Sequence, residues 1–243
     1  ENAEPWYEPG AISCYHGVTY GFILGELVHR ISGRPFARYF AEEVAQPLNA
    51  DFHFGVTDPD DIARVAELHP PEVNFEHLTP MGERVATEVE DEDLSLPDAL
   101  ATVSPASIGI GNARSIARIG SMLTGGGELD GRRYLNRYTI EEATREHLYA
   151  GDQLLGPFRR GLGFGLDSVD FHAPTPTTFH WGGFGGSFLT MDMESGITCG
   201  YAPNRLLIGD GLPTEHERTF VESVGDRFSR WWQTIGDVSR SLG

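Results

Sequence analysis

Apolar residues recur at helical spacing in the first part of the chain and in short, strand-like runs in the last part. The helical pattern predicts helices over about 18–32, 35–45, 112–123 and from Thr139 onward. From about Arg160, glycine turns separate runs that predict strands near 161–166, 177–181, 188–191 and 197–202. An amphipathic pattern over about 214–235 predicts a closing helix. This order predicts an α+β fold, with helices first, then an antiparallel sheet and a C-terminal helix packed on it.

Local signals refine these boundaries. Asn112 is a plausible N-cap, and Thr139 with Glu142 has the spacing of a capping box. Residues 57–105 are the least regular part, and their acidic run at 88–93 is predicted to be a solvated loop. We predict a single domain over 1–243, with a helical region over about 10–158 and the sheet and last helix over about 159–243.

The charge of the chain excludes several classes of function. It carries 36 acidic and 18 basic residues, for a formal net charge of -18, so a nucleic-acid partner is not expected. Every basic residue is arginine. The chain therefore supplies no lysine for a Schiff base, a phosphate loop or a general base.

Sites for metals, cofactors and membranes are also not indicated. The nine histidines are scattered without a zinc-binding spacing, and Cys14 and Cys199 are read as buried thiols. Neither a metal nor a cofactor is expected. The sequence contains no apolar run long enough to span a membrane and no visible export signal. We therefore expect a cytoplasmic protein, although a longer N-terminus could carry a signal.

Two segments could carry chemistry. The first is Tyr15-His16-Gly17, where a tyrosine can act as a base only if its pKa is lowered or a cation lies nearby. The alternative is a half-buried tyrosine at the start of a helix. The second segment runs from Phe179 to Ser187, where glycines let a substrate approach backbone N–H donors and His180 could contact a substrate carboxylate or leaving group. The alternative there is a glycine-rich hairpin with a satisfied histidine.

Taken together and in this order, the segments resemble the serine beta-lactamase-related hydrolases. The branch meant is that of class C beta-lactamases, D-alanyl-D-alanine carboxypeptidases and their esterase relatives. The resemblance rests on Pro9-Gly10, Tyr15-His16, the helix with Ile31-Ser32-Gly33-Arg34-Pro35-Phe36, Ala45-Gln46-Pro47-Leu48, Gly126 to Gly131, and His180-Trp181-Gly182-Gly183. It spans nearly the whole chain and implies the beta-lactamase/transpeptidase-like fold, in which the active site lies between a helical region and an antiparallel sheet.

The resemblance also implies roles for individual residues. Tyr15 would be the base or proton shuttle, and the backbone N–H of Gly183 would form half of the oxyanion hole. His180 would line the pocket in place of the family's third-motif lysine, and His16, Trp181 and Gly182 would also contact the substrate. The reaction implied is acyl transfer through a serine ester, with a small-molecule acyl compound as the partner.

The sequence departs from the family pattern in three places. Tyr15-His16-Gly17 occupies the position where the family often has Tyr-x-Asn, and His180 occupies the position of a lysine. Both differences favour the esterase-like branch. The nucleophile motif Ser-x-x-Lys is absent, since there is no lysine. Ser115 with Arg118 imitates that motif poorly, because arginine keeps its proton, and Ser115 is read as an ordinary helix residue.

Only 14 residues precede Tyr15, and the chain does not begin with methionine. We expect a fragment whose N-terminal strands and nucleophile helix lie on a missing portion. Its unpaired sheet edge and uncovered apolar face would make it aggregation-prone, and it would be catalytically dead by itself. The alternative hypothesis is an inactive relative that binds a ligand or partner in the same cleft. A third hypothesis is an unrelated α+β domain in which the motifs occur by chance.

Overall fold

The computed structural model describes residues 4–17, 19–69, 80, 96–168, 175–183 and 185–205. The described helices are α1 (Thr19–Ser32), α2 (Phe36–Phe40), α3 (Pro59–Ile62), α4 (Leu96–Ala101), α5 (Ala113–Thr124) and α6 (Arg137–Thr144), and a π-helical turn over Ala41–Ala45 continues α2. The short strands outside the main sheet are β1 (Phe52–His53), β2 (Ile110–Gly111), β3 (Glu128–Leu129) and β4 (Arg132–Arg133). The main sheet contains β5 (Leu148–Asp152), β6 (Gly156–Arg160), β7 (Gly165–Leu166), β8 (Thr178–Gly182), β9 (Phe188–Asp192) and β10 (Thr198–Tyr201).

Side-chain caps fix the starts of α5 and α6. The prediction for Asn112 is confirmed, because its Oδ1 accepts the backbone N–H of Ser115 at 3.0 Å. The predicted capping box at Thr139 is wrong. The N-cap is Asn136, which accepts the N–H of Thr139 at 2.7 Å, so Thr139 is the capped residue rather than the cap. Asparagine is an equally good cap, and its position allows the helix to begin almost one turn earlier.

Helix α1 is packed through glycines, not through its large apolar residues. Gly21 and Gly25 are buried, and a Cβ placed on Gly21 would lie 2.7 Å from the Cβ of Ala106 and closer still to its backbone nitrogen. The larger side chains of α1 point outward, with Ile23 63% exposed and Ile31 78% exposed. The exposed apolar side chains of α1 are those of Tyr20, Phe22, Ile23, Leu24, Leu27 and Ile31. All of these except Phe22 project from the same side of the helix, and we refer to those five residues as the α1 apolar face.

The main sheet is antiparallel throughout, with the strand order β10-β9-β8-β7-β6-β5. Helix α5 covers one of its faces at Gly120, where a Cβ would meet Leu189 and Met191 of β9 and Thr198 of β10. Beside this contact, a buried cluster of Leu166, Phe179 and Met191 packs against Leu123 of α5. The glycine therefore lets a helix backbone approach the sheet closely.

The sheet begins earlier than the sequence analysis predicted. Its first hairpin, β5–β6, starts at Leu148, whereas strands were expected only from about Arg160. These strands contain Gly151, Gly156 and Pro157, which weaken the strand signal in the sequence. The predicted helix over 214–235, the acidic run at 88–93 and Phe184 lie outside the described residues.

Candidate active site

The tyrosine segment, residues 13–16, lies beside the end of edge strand β5. Ser13 forms a parallel bridge with Asp152, and its carbonyl accepts the backbone N–H of Gln153 at 3.0 Å. The backbone N–H of Tyr15 donates to Oδ1 of Asp152 at 3.1 Å. The backbone of Tyr15 is therefore hydrogen-bonded to a residue 137 positions later in the chain.

Asp152 is the polar centre of this region. Its Oδ1 also accepts the N–H groups of Leu154 at 2.9 Å and Leu155 at 3.1 Å, and its Oδ2 lies 3.0 Å from Nη1 of Arg160. Burial by itself would raise the pKa of Asp152, but these N–H donors and the Arg160 guanidinium outweigh it and hold the pKa below its ordinary value. The carboxylate is thus ionised at neutral pH, although its side chain is fully buried.

Trp181 approaches Tyr15 from the sheet. The two ring centroids lie 5.6 Å apart with the planes tilted by 41°, which is within the range of a favourable aromatic pair. In the register of β8 and β9, Trp181 pairs with Leu189 and Phe179 pairs with Met191. Because alternate residues share a face, Trp181 projects on the side of the sheet that α5 covers. The structure therefore brings together the two segments that the sequence singled out.

His180 lies on the other face of β8. It is only 6% exposed, and a Cβ placed on Gly165 would lie 2.6 Å from its Cε1, so the ring packs directly over that glycine. Burial lowers the pKa of His180 to about 4, which keeps the imidazole neutral at pH 7. The structure thus does not bring His180 to the contact between Tyr15 and Trp181, because neighbouring residues of a strand point to opposite faces.

His16 lies at the outer end of the tyrosine segment. It is exposed, and its Nε2 is hydrogen-bonded to the hydroxyl of Tyr7 at 2.8 Å. Cys14 is half-buried, and burial raises the pKa of its thiol, with the nearby Asp152 carboxylate adding to the effect. The thiol is therefore mostly protonated at neutral pH, which disfavours Cys14 as a nucleophile.

The glycine turn after β8 is closed by Gly183. Its backbone N–H donates to the carbonyl of Ser187 at 2.7 Å, and a further bond of 3.0 Å joins the N–H of Gly186 to the carbonyl of Gly183. Gly182 is exposed beside Trp181. The N–H that was expected to form half of the oxyanion hole is therefore engaged within the turn, and it could donate to a substrate only if the bond to Ser187 opened.

A polar cleft of about 310 Å³ lies at the start of α5. It is lined by Asn49, Asp51, Asn112, Arg114, Ser115 and Arg118. Ser115 is 4% exposed, and its hydroxyl donates to Oδ1 of Asn112 at 3.1 Å. Arg118 donates from Nε to the carbonyl of Leu48 at 2.8 Å and pairs with Asp130. These contacts favour helix capping and helix packing for this pair of residues, and the cleft shares no residue with the Tyr15–Trp181 contact.

The described ranges also bear on metal binding and on membrane crossing. They contain no group of three or more His, Cys, Asp or Glu side chains placed to hold a metal ion. Within the same ranges, none of the helices has the length and hydropathy that crossing a membrane requires.

Comparison with known proteins identifies the family. Residues 1–218 match the model of the beta-lactamase family. The chain belongs to the beta-lactamase family. Over 212 residues it is 31% identical to the esterase/beta-lactamase LipL of Mycobacterium tuberculosis, covering 80% of this chain and 49% of LipL. The chain thus spans about half the length of this curated relative.

Solved structures agree with this assignment. A penicillin-binding protein homologue from Caulobacter crescentus is 28% identical with a TM-score of 0.75, covering 84% of this chain and 56% of that one. A family VIII carboxylesterase is 29% identical with a TM-score of 0.72, covering 92% of this chain and 60% of that one. The predicted family and the predicted beta-lactamase/transpeptidase-like α+β fold are confirmed.

Asp152 is the residue of the site that sequence reasoning missed. An aspartate before Gln-Leu-Leu-Gly is a turn signal, and the structure bears this out, because Asp152 accepts two N–H groups of that turn. Its link to Tyr15 has no local signal, since hydrogen bonds between residues so far apart follow from the tertiary fold.

Proposed function

We propose that this chain is part of a serine hydrolase that cleaves carboxylic esters, with the nucleophilic serine supplied by a segment that precedes Glu1. The observation that carries the proposal is the contact between Tyr15 and Trp181, which joins the tyrosine motif to the glycine-lined strand. The lack of any lysine excludes a Ser-x-x-Lys motif within these residues. The match to about half the length of an esterase/beta-lactamase is consistent with a nucleophile located elsewhere.

The α1 apolar face also supports a site that is completed by a segment preceding Glu1. Five large side chains on one side of the helix are exposed, and an apolar patch of this kind usually marks a surface that another segment covers. Helix α1 begins four residues after Tyr15, so a segment packed on this face would lie next to the tyrosine. We propose that this preceding segment carries the serine.

The proposed reaction has two acyl-transfer steps. The serine oxygen attacks the ester carbonyl and gives up its proton, the bond to the alcohol breaks, and the alcohol leaves with a proton. Water then attacks the acyl-serine, which releases the carboxylic acid and restores the serine hydroxyl. Tyr15 is proposed as the group that takes and returns the proton, with Trp181 and Gly182 lining the substrate side.

An uncharged substrate fits this site best. The side chain that β8 presents to Tyr15 is an indole, which offers an apolar surface and no positive charge for a substrate carboxylate. Arg160, which is near the tyrosine segment, is already paired with Asp152. The net charge of -18 also disfavours anionic substrates. We therefore expect a preference for 4-nitrophenyl butyrate over the hemisuccinate ester of 4-nitrophenol.

The test compares two proteins: the 243-residue chain, and the same chain joined to the open reading frame upstream of Glu1. We expect hydrolysis of 4-nitrophenyl butyrate only by the joined protein, and its loss in the joined Tyr15→Phe variant. Equal turnover by the Tyr15→Phe variant would refute the assignment of Tyr15. A joined protein that binds the ester without hydrolysing it would favour the alternative, an inactive relative that acts as a binding module.

A further inference from the structure

Two buried carboxylates occupy comparable positions in the main sheet. Asp152 ends β5 and Asp192 ends β9; each is 6% exposed, and each accepts N–H groups from the turn that follows its strand. Asp192 is otherwise surrounded by hydroxyl groups near its own hairpin, those of Thr175, Thr177 and Ser195. Its described contacts are therefore explained by local structure.

Asp152 has contacts that local structure does not explain. Beyond its own turn, it accepts the hydroxyl of Ser13 at 3.1 Å and the backbone N–H of Tyr15 at 3.1 Å. Arg160 supports the same arrangement, because its guanidinium pairs with Asp152 and also donates to the Ser13 hydroxyl. A single carboxylate thus joins the β5–β6 hairpin to the segment that carries the tyrosine.

We infer that Asp152 is a positioning residue, which fixes the backbone of Tyr15 at the edge of the sheet and so places the phenol against Trp181. The inference rests on the proposed function only for its catalytic consequence, since the anchoring itself can be measured without turnover. Asp152 does not have to touch the substrate for this role. Its carboxylate acts through the Tyr15 N–H and the Ser13 hydroxyl.

Cys14 provides a direct readout of the anchoring. It lies between the two anchored residues, whereas Cys199 lies on β10, so the two half-buried thiols report different regions of the same molecule. The experiment labels the joined protein with iodoacetamide at pH values from about 7 to about 11, because burial raises the pKa of both thiols, and measures each thiol separately by peptide mass spectrometry. The plateau rate at high pH reports exposure of the thiol, while the midpoint of the pH profile reports its pKa.

We expect Asp152→Asn to raise the plateau labelling rate of Cys14 at least about tenfold, equivalent to about 1.4 kcal/mol, and to leave Cys199 within about twofold. The matched control is Asp192→Asn, which should leave Cys14 unchanged. If Asp152→Asn does not fold, Ser13→Ala removes one bond to the same carboxylate and should produce a smaller increase at Cys14. An unchanged Cys14 rate, or an equal rise at both thiols, would overturn the anchoring role.

The catalytic consequence is tested in the joined protein. Asp152→Asn should lower kcat for 4-nitrophenyl butyrate at least about tenfold with little change in KM, and Asp192→Asn should change neither. If Cys14 becomes exposed while kcat is unaffected, the anchoring stands and the proposed role of Tyr15 fails. If Cys14 is unaffected while Tyr15→Phe abolishes turnover, the proposed function stands and the positioning role fails.

Discussion

The contact between Tyr15 and Trp181 should be measurable as a coupling free energy. Substituting either residue by alanine removes the ring contact, and each substitution also loses packing that does not involve the other ring. A double-mutant cycle cancels those separate losses. With the centroids 5.6 Å apart and the planes tilted by 41°, an aromatic pair contributes about 0.5–1.5 kcal/mol beyond the area that it buries. Both residues are only half-buried, so we expect about 1 kcal/mol.

The assay is urea denaturation of the joined protein, which includes the segment upstream of Glu1, followed by far-UV circular dichroism. It is applied to the unsubstituted protein, Tyr15→Ala, Trp181→Ala and the double variant. The control cycle combines Tyr39→Ala with Trp181→Ala. The ring of Tyr39 lies under Arg34 in the helical region, so the effects of these two substitutions should be additive within about 0.3–0.5 kcal/mol. A coupling for Tyr15 and Trp181 no larger than that of the control would refute the contact.

Tyr15→Phe extends the same measurement. It keeps the aromatic ring and removes only the hydroxyl, so most of the coupling to Trp181 should persist. A loss of turnover in this variant of the joined protein would then reflect the missing hydroxyl and not lost packing.

Two further predictions concern stability. His180 should make the free energy of unfolding depend on pH. Its pKa of about 4 in the folded state lies below the unfolded value of about 6.5, so the unfolded state binds more protons between these two pH values. The free energy of unfolding should therefore fall as the pH drops from about 6.5 to 4, by at most about 3 kcal/mol. Urea denaturation at several pH values should show this slope, and His180→Gln should make it shallower, leaving the part due to carboxylates such as Asp152 whose pKa lies below its ordinary value; an unchanged slope would contradict the assignment. Gly21→Ala should destabilise the chain by about 1–3 kcal/mol, because the new Cβ meets the backbone of Ala106. Gly25→Ala, whose Cβ would lie 3.1 Å from Cγ of Pro105, should be close to neutral by thermal denaturation, and equal losses at both glycines would contradict the packing of α1.

The local elements were largely readable from the sequence. Helix α1, helix α5 with its Asn112 cap and the strands β8 to β10 follow from spacing and capping, which depend on residues close together in the chain. The hairpin β5–β6 did not, because its glycines and Pro157 obscure the strand pattern. The cap of α6 was misplaced by three residues, since Asn136 and Thr139 are both acceptable N-caps and only the backbone course distinguishes them.

For the site, the sequence determined which residue types are present: a tyrosine before a helix, an aromatic residue and glycines at the end of a strand, and no lysine anywhere. The tertiary structure decided how they are arranged. It turned Trp181 toward Tyr15, buried His180 against Gly165 on the opposite face, and engaged the Gly183 N–H in a turn. It also placed Asp152 under the tyrosine segment. The reason is physical. The strand register determines which side chains lie on each face of the sheet, and a hydrogen bond between residues far apart in the chain produces no pattern in the sequence around either partner.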